Sequence, residues 1–215
     1  MCKISISIMK KIFLFGISLL LFSCNDKKIQ LPKAGITIVA DVKDNSTVYL
    51  FFEAKGKDTL VEVNRKNTIS STNWLFAIDK RLPLRLVIPE VMKLQAKKEN
   101  SNHKNEKAQN YFSYADSIGK NLAFLPFTNV KFELKKQKKA INIFFSKDGK
   151  ITVNDKVVVD KGNDELQKYL NTINSTYKEV SFCFDKNMSF DSYIKTKIFQ
   201  KTVESKFVTF TEYVY

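Results

Sequence analysis

Apolar residues recur along this chain with two different periods. Phe190, Ile194 and Ile198 fall every fourth residue after Ser189, a good N-cap, which predicts a helix to about Val203. Leu84, Ile88, Val91 and Met92 make a second stripe, whose helix is expected to start near Leu86 so that Pro89 falls in its first turn. A third stripe, Leu166, Leu170 and Ile173, can be capped by Asn163 or Asp164. Between these lie strand-like runs: Trp74–Ile78, Val180–Phe184, Phe207–Tyr215 and the alternating Val130, Phe132, Leu134.

The runs repeat. Phe51–Leu60, FFEAKGKDTL, and Phe144–Val153, FFSKDGKITV, agree in five of ten columns, and both read as strand, glycine turn, strand. Downstream, FAIDKRLPLRLVI (Phe76–Ile88) and FCFDKNMSFDSYI (Phe182–Ile194) share the Asp-Lys and place like against like elsewhere. Two matched blocks in the same order imply two copies of one unit. The hairpins are offset by 93 positions and the Asp-Lys blocks by 106. The helix Asn163–Ile173 accounts for the difference, because the first copy has only the loop NTISSTN there. Each copy also turns a polar corner, Asn64-Arg65-Lys66 or Asn154-Asp155-Lys156.

These readings divide the chain into a lead-in over 24–46, a first repeat over 47–134, a basic linker over 135–139 and a second repeat over 140–215. The first repeat carries a polar insert over 97–110 and closes late, on the strand around Phe132. The expected fold class is α+β: two small sheets, each with helices on one face, the first repeat lacking one helix.

The N-terminus supplies an address. Met9–Cys24, MKKIFLFGISLLLFSC, has two lysines, an uncharged apolar run over Ile12–Phe22, then a small residue and a cysteine. This describes a secretory signal over 1–23, and the run is short of the roughly 20 apolar residues that span a membrane. Leu21-Phe22-Ser23-Cys24 resembles the lipobox of bacterial lipoproteins, which makes Cys24 the expected lipidation site, followed by a polar tether from Asn25. Of the three cysteines, Cys2 lies within the signal segment and Cys183 is left alone. Without a partner for a disulfide, Cys183 reads as a small buried hydrophobe.

Composition changes the picture only a little. With 44% hydrophobic and 13% aromatic residues the chain can bury a core. The formal charge of +14 would suit nucleic acid, but in a secreted chain it reads first as a solvated basic face, and otherwise as a surface that meets anionic lipid or cell-wall polymer.

The order of elements in Ile141–Tyr215 resembles the periplasmic domain of the ExbD/TolR biopolymer-transport family. The markers are INIFFSKDGKITVND, the helix DELQKYL and VSFCFDKNMSFDSYI; WLFAIDKRLPLRLVI in the first copy resembles the last of these. The resemblance implies modules that work with a channel partner at the envelope. That family's motor role depends on an aspartate in a membrane helix, and Ile12–Phe22 has no carboxylate.

Chemistry is sparse. The one histidine, His103, sits beside Lys104 in the polar insert with no second ligand nearby. No nucleophile motif or phosphate-cradling glycine loop occurs, so no catalytic, cofactor-binding or metal-binding residue is assigned. Asp79-Lys80 and Asp185-Lys186 are candidate interface residues, or simply turns leading into helices. The expectation is a non-enzymatic lipoprotein of the bacterial envelope, anchored in the membrane and facing the periplasm. It would use no cofactor and bind no nucleic acid, and it would scaffold envelope proteins or cell wall. The alternative is an accessory subunit of an ExbB/ExbD-type transport motor.

Overall fold

A computed structural model describes residues 27–136, 141–159, 180–202 and 211–215. Among these residues the chain is mixed α and β, with two sheets and two helices. The elements in order are β1 (Lys33–Ala34), β2 (Asn45–Lys55), β3 (Asp58–Asn64), β4 (Asn73–Ile78), α1 (Leu84–Glu99), β5 (Asn110–Asp116) and β6 (Asn121–Pro126). They continue with β7 (Lys131–Glu133), β8 (Ile141–Phe145), β9 (Ile151–Val153), β10 (Lys156–Val159), β11 (Val180–Phe184), α2 (Phe190–Thr202) and β12 (Thr211–Val214).

Both halves are built on one plan. β3-β2-β4-β5 in the first sheet and β9-β8-β11-β12 in the second have the same order and directions: an antiparallel hairpin, then two parallel steps. Each helix connects the last two of those parallel strands. What flanks this common part differs. β6 runs antiparallel along one side of β5, while β4 and β1 share its other side, at 110–112 and 115–116. In the second half the corresponding outer place beside β12 is taken by β7, in parallel.

Local chemistry explains the turns. Gly56 and Gly149 hold φ of +62° and +81°, a region where a Cβ is strained, and each closes a hairpin. Asn154 and Asp155 both have positive φ, 48° and 66°, so the corner between β9 and β10 is a tight two-residue turn. In both Asp-Lys turns the aspartate bonds the backbone two residues on: Arg81 N–H to Asp79 Oδ1 at 3.0 Å, and Asn187 N–H to Asp185 Oδ1 at 2.8 Å. Ser189 caps α2 as its sequence position suggests, its Oγ accepting from the Ser192 N–H at 3.2 Å.

The main core is a continuous cluster that draws on both sheets and both helices, with a small second cluster of Val42, Leu75 and Phe124 apart from it. α1 touches β7 and β12 of the second sheet, and Phe190 and Tyr193 of α2 place ring edges on Phe112 of the first. In α1 the buried positions are Leu84, Val87, Ile88, Val91, Leu94 and Lys98. Val87 and Leu94 widen the stripe seen in the sequence, while Met92 lies at its half-buried margin.

Four expectations are corrected. The strands equate Leu50 with Phe145, where the sequence match sets Phe51 on Phe144 and so Phe52 on Phe145, because Leu50 and Phe145 lie opposite Ile78 and Phe184, the residues before the two Asp-Lys turns. The sequence match followed the glycines, but the first hairpin continues five residues past Leu50 to Lys55 whereas β8 ends at Phe145. The shift of two keeps every side chain on its face. Second, the first half closes on β5, not on the strand around Phe132. Phe132 pairs with Glu212 in the second sheet, so the boundary falls before 131 rather than after 134. Third, the lead-in is part of the first sheet through β1. Fourth, α1 begins at Leu84, five residues before Pro89, which lies inside it. The earlier start is possible because its first N–H groups are satisfied from outside: Leu84 N–H by Met188 O and Arg85 N–H by Lys186 O. The helix expected over Asn163–Ile173 and the linker residues from 137 lie outside the described residues.

The two helix starts make unlike demands on their caps. Ser189 supplies a side-chain bond, whereas its counterpart Pro83 supplies none. Ser189→Ala is therefore expected to cost about 1 kcal/mol in thermal or urea unfolding, the usual worth of a cap. Pro83→Ala should cost less than Ser189→Ala, and the reverse order would show that the proline, not the serine, fixes the helix entry.

Candidate functional site

The two Asp-Lys turns, separate in sequence, meet in space. Pro83 and Ser189 form an antiparallel bridge, and around it the bonds come in equivalent pairs. Leu84 N–H donates to Met188 O at 2.9 Å and Phe190 N–H to Leu82 O at 2.8 Å. Arg85 N–H donates to Lys186 O at 2.7 Å and Asp191 N–H to Lys80 O at 3.1 Å. Each half thus caps the other's helix with its own turn carbonyls, about a local two-fold axis.

The equivalent aspartates have unequal surroundings. Asp79 is fully buried. Both its oxygens are occupied, by the Arg81 guanidinium at 2.8 Å on each and by the backbone N–H groups of Arg81 and Gln30. Burial alone would push its carboxyl up, but the Arg81 hydrogen bonds and the two N–H groups outweigh it and hold it below the usual carboxylate value. Asp185 is half-buried and lacks such a guanidinium; its Oδ2 accepts from the Lys147 N–H at 3.3 Å. Lys80 is half-buried and Lys186 exposed. So the first aspartate is enclosed by its own chain, and its contacts are with the lead-in and Arg81.

The helices differ more. In α1 and the strand beside it, Val87, Val91 and Phe112 are fully buried and apolar. The equivalent positions of the second half hold Tyr193, Lys197 and Glu212. Glu212 is 1% exposed, accepts the Tyr193 hydroxyl at 2.7 Å and pairs with Lys197 Nζ at 2.5 Å. Lys197 also bonds Gln200, at the place of apolar Leu94. Burial, then the Glu212 carboxylate, raises the Tyr193 phenol well above its ordinary value, so it stays a hydrogen-bond donor at physiological pH.

Other candidates are quickly placed. Lys98 is buried at the end of α1, its ammonium bonded to Asn110 Oδ1 and Gln109 O and 5.2 Å from the centre of the Trp74 ring, and burial lowers its pKa to about 8. Cys183 is fully buried as expected, on the sheet face away from α2, and burial pushes its thiol up to about 11, which keeps it in the thiol form at neutral pH. His103 is exposed in the loop after α1. Among the described residues no His, Cys, Asp and Glu group could hold a metal, and no helix is long and apolar enough to cross a membrane. Cys24 lies outside the described residues.

No known protein family, no curated protein and no solved structure matches the chain.

Arg81, Lys197 and Glu212 were not picked out from the sequence. A signal for two of them exists: Lys197 falls on the apolar stripe of α2, and Glu212 interrupts an aromatic, β-branched strand. Such placements force either partnering or exposure.

Two predictions follow from the unequal aspartates and the polar trio. Asp79→Asn is expected to cost about 1–2 kcal/mol at neutral pH, a value discounted because the Arg81 side chain is 41% exposed, and Asp185→Asn well under 1 kcal/mol. Because Asp79 is held below its unfolded pKa, its contribution is complete above that value and disappears as pH falls through the folded one. Urea unfolding at pH 7 and in strong acid should therefore show the Asp79→Asn deficit closing in acid.

For the trio, Glu212→Leu alone is expected to cost about 3–5 kcal/mol, since it strands a lysine and a phenol. The triple variant Tyr193→Phe/Lys197→Met/Glu212→Leu should recover to within about 1 kcal/mol of the parent. Equal instability of single and triple variants would show that the trio is required for packing rather than merely tolerated.

Proposed function

We propose that this chain is a non-enzymatic lipoprotein of the bacterial envelope whose two ExbD/TolR-like modules bind or scaffold other envelope components. The observation that carries the reading is the N-terminal sequence: two lysines, a short apolar run, Leu21-Phe22-Ser23-Cys24, then a polar tether. Two features support the modular part. Each half sets a glycine-turned hairpin beside a parallel strand, an Asp-Lys turn and an amphipathic helix, the order on which the family resemblance rests. The buried Tyr193, Lys197 and Glu212 are paired with one another, and buried Lys98 with Asn110, which suits a scaffold better than a reaction centre. Acylated at Cys24, the protein would lie at a membrane surface with its basic faces toward anionic material.

The decisive variant is Cys24→Ser. Cells given a tagged fatty acid are expected to label the parent protein and not the variant, and the variant should leave the membrane fraction while melting at the same temperature. Undiminished label in Cys24→Ser would falsify the lipoprotein reading.

A further inference from the structure

The two halves differ most at the carboxyl end of their first long strand. In the first half the hairpin β2–β3 grows past Leu50 and lies over α1, with Phe52, Val61 and Leu86 packed on the core. In the second half the chain turns at once over residues 146–150. The place of the missing arm is a cleft of about 560 Å³ between that turn and α2, within the range of small-ligand sites. The substitutions follow the same logic. Where the first half has Phe52, Leu86 and Pro89, the second has Lys147, Ser192 and Lys195.

The lining is amphiphilic. Half-buried Phe199 forms the apolar wall together with the edges of Phe145 and Met188, 4% and 3% exposed, and Lys147, Lys150 and Lys195 line the cleft with no carboxylate among the lining residues. Lys195 is paired with Asp191 at 2.6 Å, whereas the ammonium groups of Lys147 and Lys150 have no carboxylate partner among the described residues. A neutral apolar ligand would leave those cations unanswered, and a small inorganic anion would leave the apolar wall wet.

We propose that this cleft binds an anionic phospholipid, its phosphate between Lys147, Lys150 and Lys195 and the start of its acyl chains on Phe145, Met188 and Phe199. The source of the ligand rests on the envelope reading above; the cleft itself does not. Bound there, a headgroup would hold the second half against the membrane surface at a point far in sequence from Cys24. The lipid at Cys24 and the headgroup contact would then be two separate attachments to the same surface.

The test uses the full-length protein in neutral detergent, titrated calorimetrically with short-chain phosphatidylglycerol, short-chain phosphatidylcholine, glycerol phosphate and inorganic phosphate. Phosphatidylglycerol is expected to bind at least tenfold more tightly than the other three. Lys147→Ser/Lys150→Ser should weaken it at least tenfold, and Lys55→Ser/Lys57→Ser, in the turn of the other hairpin, should not. Phe199→Ser, at the half-buried part of the wall, should also weaken it. Equal affinity for glycerol phosphate would assign the cleft to a soluble phosphate ester and overturn the lipid proposal. An equal loss in the Lys55/Lys57 variant would reduce the effect to general surface charge, and no binding at all would dismiss the cleft as a site. Acylation at Cys24 is read separately by label, so loss of one reading leaves the other standing or falling on its own measurement.

Discussion

Four main-chain hydrogen bonds across the Pro83–Ser189 bridge hold this molecule in its arrangement. A helix start exposes N–H groups that cannot find partners within the helix. Here the first N–H groups of both helices are answered by carbonyls from the other half's turn, so neither start is complete alone. At roughly 1 kcal/mol each the bonds are modest, but leaving the same groups buried and unpaired would cost more. The consequence reaches the core. With both helix starts pinned to one axis, α1 and α2 must each face the other half's sheet as well as their own, and the main hydrophobic cluster spans both halves. The halves repeat a topology, yet the fold they make is a single packing unit.

Around that axis the halves differ in opposite senses. The first half is apolar inside and closed above: Val87, Val91, Phe112 and Leu94 in the core, the long hairpin arm over α1. The second half is polar inside, with Tyr193, Lys197, Glu212 and Gln200 in the same positions, and among the described residues its hairpin places only a short turn beside α2. A buried ion pair of this kind adds little net stability compared with well-packed apolar residues. Its retention beside an open basic cleft, on the same helix, makes α2 the more chemically differentiated of the two elements. The first half reads as framework and the second as the part that meets a ligand.

Much of this was legible because local rules decide it. Glycines at the hairpin turns, asparagine and aspartate in a tight corner, a serine before a four-residue periodicity and an aspartate two residues before its backbone donor each have a fixed geometric use. What escaped was non-local. Nothing near Asn110 announces β5, since NYFSYAD follows a polar loop and its burial comes from Trp74 and Phe76 on one side and β6 on the other. Phe132 looks like the natural end of the first repeat, yet pairing with β12 carries it into the second sheet. Pro89 seemed to set the helix start because a proline costs less in the first turn, but the bonds from Met188 and Lys186 fix the start earlier. The candidate turns were visible as motifs; that they face each other was not, because no sequence spacing encodes a two-fold axis.

The lead-in then acquires a role that its composition does not suggest. Gln30 gives its N–H to buried Asp79 and takes that of Lys80, while Lys33 gives its N–H to Asp191 of α2. Within four residues the strand has bound both halves at the two sides of their common axis, before pairing with β5 through β1. Lys27 adds an ion pair to Glu62 on the outer strand β3. Only two residues, Asn25 and Asp26, separate Lys27 from Cys24, the start of the proposed tether. If Cys24 carries lipid, little slack is left between the membrane and the axis, since a fully extended residue spans at most about 3.6 Å. An anchor so placed would hold the module at the surface by the joint of its two halves, leaving the hairpin turns at 56 and 149 and the cleft beside α2 to be oriented by the rest of the packing.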